Sequence, residues 1–163
     1  MKHVLIIGAI MLFASCNNEE QRSQQVAVPE PATDQARPKD KLQQLGIRYD
    51  GHYREQVQDV VYLIRFFPKG NAVLINGMAD VAKELPAYLK ADATGDPVMG
   101  WYNVPVTVAG DSIYFKTHPE KGEISYRGNV PSTSMVRLLR HSHINGTRSI
   151  KEYIFQPDTT LRQ

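Results

Sequence analysis

The stretch "DVVYLIRFFPKGNAVLINGM", residues 59–78, decides the fold. It holds two runs rich in Val, Ile, Leu and aromatic residues, 59–68 and 72–78, on either side of a short polar break. β-Branched and aromatic side chains suit a pleated surface. Gly70 and Asn71 in the break tolerate positive φ, as a tight reversal between antiparallel strands requires. The segment therefore reads as a β-hairpin. Its first strand is apolar on both faces apart from Arg65, which marks it as central.

The same grammar extends along the chain. "GHYREQ" (51–56) is a first strand, ahead of the hairpin. After it, "ADVAKELPAYLKAD" (79–92) breaks the alternation. Val81, Leu85, Tyr88 and Leu89 fall at helical spacing, Asp80 is placed to cap, and Pro86 kinks or splits the turn. One short helix between early strands is expected there. In "MGWYNVPVTVAG" (99–110), Tyr102, Val104, Val106 and Val108 alternate with other residues. Pro105 has no amide hydrogen, so this strand should meet an edge or a bulge at that point. Three further strands follow at 113–118, 123–130 and 135–144, and Asn145-Gly146, the strongest hairpin dipeptide, returns the chain through 147–156.

About eight strands joined by short turns imply sequential antiparallel neighbours. The expected fold is all-β, an up-and-down antiparallel β-barrel, because closure removes the exposed edges of such a meander. The features "DGHY", "YLIRFFPKGNAV", "GEISYRG" and "SHINGTRSIKEYIF" occur in an order that resembles the small lipocalin-like barrels of bacterial lipoproteins. That resemblance spans most of residues 50–156. It implies the barrel and a tendency to bind small apolar molecules. Lipocalins proper carry Gly-x-Trp on the first strand, where this chain has Gly51-His52-Tyr53.

The N-terminal region has a different composition. Residues 1–15 begin Met-Lys-His, continue as the apolar "VLIIGAIMLF" and end "AS". A basic start, a short apolar run and small residues form a secretory signal peptide, and the run is shorter than the roughly 20 residues a membrane span needs. "FASC" (13–16) resembles the bacterial lipobox, with Phe13 where Leu is usual. The resemblance implies cleavage before Cys16 and acylation of its sulfur. Two or more acyl chains hold a protein firmly on a bilayer, at about 0.8 kcal/mol per buried CH₂. The bilayer is thus an expected partner, and the expected location is the cell envelope, as an outer membrane lipoprotein facing the periplasm or the cell surface. "NNEE" after Cys16 resembles the surface-export signals of some Bacteroidetes lipoproteins.

The domain plan follows: signal peptide 1–15, lipidated cysteine and disordered linker 16–45, barrel 46–157, tail 158–163. The linker is rich in Gln, Glu, Pro and Asp and has no aromatic residue, so it cannot bury enough apolar area to offset its ordering entropy. Its typical reach is about 30 Å, stiffened by Pro29, Pro31 and Pro38, and "KDKLQQLG" (39–46) at its end can add one helical turn that stops at Gly46.

Bulk chemistry narrows the function. The 163 residues carry a formal net charge of +2 with no concentrated basic stretch, which argues against nucleic acid. The single cysteine excludes an internal disulfide. There is no nucleophile elbow, no H-E-x-x-H and no glycine-rich phosphate loop, so a non-catalytic protein is expected. No cofactor is implied. His141 and His143 form H-x-H and point to one face of a strand, but no carboxylate or cysteine lies at a helpful local spacing, and a solvated face is expected rather than a metal site.

The candidate ligand-binding set is Arg65 with Tyr62, Phe66, Tyr102, Phe115, Tyr126 and Tyr153. Arg65 among apolar residues needs a partner, either a ligand carboxylate, a stacking ring such as Trp101, or an acid such as Glu152. The aromatics either line a pocket for a small apolar or amphipathic ligand or fill the barrel. In the second case the protein is an interaction or envelope-structural module with a protein partner that the sequence does not specify.

Overall fold

The computed structural model describes residues 40–158. Cys16, the signal peptide and residues 16–39 of the expected linker lie outside the described residues, as do residues 159–163.

The described chain is a single antiparallel sheet of nine strands. In chain order these are β1 (Gly51–Val57), β2 (Val60–Phe67), β3 (Asn71–Met78), β4 (Tyr102–Pro105), β5 (Thr107–Ala109), β6 (Ser112–Thr117), β7 (Ile124–Ser132), β8 (Met135–Ser142) and β9 (Arg148–Pro157). Their spatial order is β4-β3-β2-β1-β9-β8-β7-β6-β5. Every step is a meander except β1–β9, which joins the first and last strands through pairs such as Tyr53–Phe155. The two outermost strands, β4 and β5, are consecutive in sequence and separated only by Val106. One run therefore gives its first half to β3 and its second half to β6, and the sheet forms a nearly closed up-and-down barrel.

The expected fourth strand is thus two strands, broken beside Pro105 as its missing donor requires. At the break the Val106 amide donates instead to Gly70 O, 2.8 Å away in the β2–β3 turn. Gly70 itself has φ of 83°, the left-handed geometry on which the hairpin reading depended.

The segment expected to form one short helix gives two 3₁₀ turns, Ala79–Val81 and Leu85–Tyr88, with Pro86 near the start of the second. It lies against the outer face of β2 and β3. Leu85 and Leu89 pack there on Val61, Leu63, Val73 and Ile75. This cover explains why β2 is apolar on both faces: one faces the barrel interior, the other this lid.

A second short element packs into the barrel core. Helix α1 (Lys41–Gln44), inside the stretch expected to be linker, is capped by Asp40, whose carboxylate accepts from the Gln43 amide at 2.9 Å. Leu42 and Ile47 are buried in the same core as Phe66 and Phe155. The Arg48 guanidinium lies 3.9 Å over the Phe155 ring, and the Arg48 amide donates to the Tyr53 hydroxyl at 3.0 Å.

Candidate functional site

Strand alternation fixes which side chains face the interior. Tyr53, Ile64, Phe66, Ala72, Ile113, Phe115, Val136, Leu138 and Phe155 belong to one continuous buried core. Its rings form a chain. Phe155 meets Tyr53 at 5.2 Å between centroids, Tyr53 meets Phe66 at 5.8 Å, and Phe66 meets Phe115 at 6.4 Å, all edge-on. This half of the barrel is filled.

Leu74, Tyr126 and Tyr153 belong to the same core, at its other end. A cavity of about 80 Å³ remains, lined by residues that include Tyr62, Tyr102, Thr117, Tyr126, Arg140 and Tyr153. Four of the seven expected ligand-binding residues, Tyr62, Tyr102, Tyr126 and Tyr153, are thus brought together on its wall. Phe66 and Phe115, 0% and 2% exposed, belong to the same core as Tyr126 and Tyr153 but do not line the cavity. Arg65 is elsewhere again. It alternates with the inward Ile64 and Phe66, approaches Asp158 at 3.7 Å and the Tyr49 carbonyl oxygen at 3.5 Å, and lies 5.4 Å from the Phe67 ring. Neither Trp101 nor Glu152 partners it: the Trp101 indole donates to Tyr88 O, and Glu152 pairs with Arg137.

Polar groups that sequence reasoning passed over complete this end. Arg140 on β8 lines the cavity beside Tyr126, its cross-strand neighbour. Thr117 is 1% exposed, and its hydroxyl lies beside the Tyr126 phenol without reaching full hydrogen-bond geometry. Glu55 and Lys151 form an ion pair of 3.2 Å, with side chains 14% and 12% exposed. The Lys151 ammonium also lies 4.8 Å from the Tyr62 ring centroid. Burial pushes the phenols up: Tyr153 rises well above the ordinary tyrosine value, and Tyr126 rises from burial although Arg140 and Thr117 pull it down. Burial likewise raises Tyr102. These tyrosines are neutral donors at physiological pH.

The histidine pair has its own partners. His141 and His143 rings lie 4.1 Å apart, and His143 Nε2 sits 3.0 Å from the Ser125 hydroxyl and 3.7 Å from Glu123. Among the described residues, no group of three or more His, Cys, Asp or Glu is placed to hold a metal ion.

Comparison of the chain with protein-family models, with curated proteins and with solved structures finds no match.

Proposed function

We propose that this chain is a lipocalin-like lipoprotein of the bacterial cell envelope, tethered through acylated Cys16, whose barrel takes up a small amphipathic ligand without catalysing a reaction on it. The observation that carries the reading is the cavity of about 80 Å³ walled by Tyr62, Tyr102, Tyr126 and Tyr153. Phenol rings offer apolar faces and hydroxyl edges together, which suits a ligand with both kinds of surface. The filled half argues against a large apolar guest. The lipobox-like "FASC" and the proline-bearing segment after it support an anchored domain held off the bilayer, at the outer membrane facing the periplasm or the cell surface.

Native mass spectrometry of the full chain, purified gently from its own envelope extract, tests this. An added mass released on denaturation is expected. A clean apo mass, with no gain on exposure to a lipid extract, overturns it.

One observation favours a second reading, an interaction module. Leu139 and Ile150 are cross-strand partners and are 44% and 67% exposed, and Ile154 on the same face of β9 is 43% exposed. Arg127 and Arg137 adjoin them in register. Apolar side chains rimmed by arginine are typical of protein contact surfaces.

A further inference from the structure

We propose that the tyrosine-lined end of the barrel binds the carboxylate group of a small organic monoacid, with Arg140 as its counter-ion and Thr117 and the adjoining phenols as hydrogen-bond donors. This rests on the ligand-binding reading above and names the chemistry of the ligand.

The argument begins with charge. Three ionised side chains lie at this end: Glu55, Lys151 and Arg140. Glu55 and Lys151 neutralise each other at 3.2 Å. Arg140 takes part in none of the ion pairs among the described residues. It leans on the Tyr126 phenol, a neutral group. Arg140, half-buried on the cavity wall among tyrosines and aliphatic side chains, therefore carries a positive charge with no acidic partner among the described residues. Such a cation is stabilised by an anion brought to it.

Donor geometry points the same way. The Thr117 hydroxyl is almost wholly buried and lines the cavity; it lies beside the Tyr126 phenol without reaching full hydrogen-bond geometry. A buried hydroxyl left short of a full hydrogen bond costs free energy that a better-placed acceptor recovers. Carboxylate oxygens accept from guanidinium and hydroxyl donors in short, charge-assisted bonds.

Size and valence then restrict the ligand. A cavity of 80 Å³ holds roughly three waters at about 30 Å³ each, so it admits a carboxylate with only a short carbon chain. A single cation without an acidic partner matches a monoanion. Doubly charged phosphate would leave one negative charge uncompensated.

The test is isothermal titration of the full-length chain in detergent, after dialysis against buffer free of organic acids. The probes are butyrate, its neutral isostere butyramide, and inorganic phosphate. Butyrate is expected to bind at least tenfold more tightly than butyramide and more tightly than phosphate. Arg140→Gln is expected to remove that preference, and Thr117→Val to weaken butyrate several-fold. The comparison of probes on the unaltered chain needs no variant to fold. Equal binding of butyrate and butyramide overturns the carboxylate assignment and leaves the ligand-binding reading standing. Phosphate bound most tightly also overturns it. If no probe binds and native mass spectrometry finds no released mass, both readings fall.

Discussion

Tyr126 stacks on Phe115, with ring centroids 4.8 Å apart and planes 17° from parallel. The two residues are cross-strand partners on β7 and β6, and the contact joins the filled half of the barrel to its tyrosine-walled end. The inner wall of the cavity is therefore built on the aromatic core, and disturbance of one reaches the other.

Phe115→Ala is expected to lower stability by about 3–5 kcal/mol, the usual cost of emptying a buried aromatic site. Phe115 is 2% exposed and also contacts Phe66. Urea unfolding followed by tyrosine fluorescence measures the loss. A change under 1 kcal/mol would show that this half of the interior is not closely packed.

Arg65→Leu separates a ligand contact from a role on the outer wall. The guanidinium approaches Asp158 and the Tyr49 carbonyl, on the opposite face of β2 from Ile64 and Phe66. A stability loss of about 1–3 kcal/mol is expected, with ligand binding retained. Binding abolished in a variant as stable as the parent would place Arg65 in the ligand site.

His52 gives the barrel a pH dependence. Burial lowers its pKa below the ordinary 6.5, helped by the positive charges of Arg65 and Arg54 and opposed by Asp158. The unfolded chain therefore binds a proton at higher pH than the folded chain does. Stability should fall as pH drops through 6.5 and level off below the native value. His52→Gln should flatten that part of the profile, read as the urea midpoint between pH 8 and pH 5. Identical profiles for parent and variant would contradict the shift.

Cys16→Ser tests the anchor independently of the barrel. The parent chain is expected in the membrane fraction with an acyl mass on Cys16, and the variant in the soluble fraction or uncleaved. Membrane retention of the variant at the parental level would refute acylation as the anchor.

Much of the fold was legible because turn chemistry and alternation agreed. Gly70 stands at the β2–β3 turn, and Pro105 stands where the fourth strand breaks. Other features had no signal. The β1–β2 turn places Gln58 at φ of 53°, a conformation for which Gln has no preference. The candidate site was half legible. Its tyrosines are apolar enough to be read as inward, but its charged members are not. In β9, Ile150 and Ile154 face outward while Lys151 lies at the inward register with Tyr153, so hydrophobic alternation alone assigns the wrong side to the lysine. Arg65 misled for the opposite reason. Its neighbours are apolar on both faces because the 79–101 segment covers the outer wall, and a partner as distant in sequence as Asp158 leaves no local trace.

The handover at Val106 has a mechanical consequence. The run 102–109 is the clasp of the barrel, fastened by four residue pairs to β3 and by three to β6. Every other junction in the ring is a longer ladder except β1–β9, which also has four pairs but joins two long strands. Thermal opening concentrates where the fewest backbone bonds must break together. Releasing this clasp would free β4 and β5 while the longer ladders hold. An opening there would be a sideways one, and the rate at which amides in Thr107–Ala109 exchange with solvent reports how often it forms.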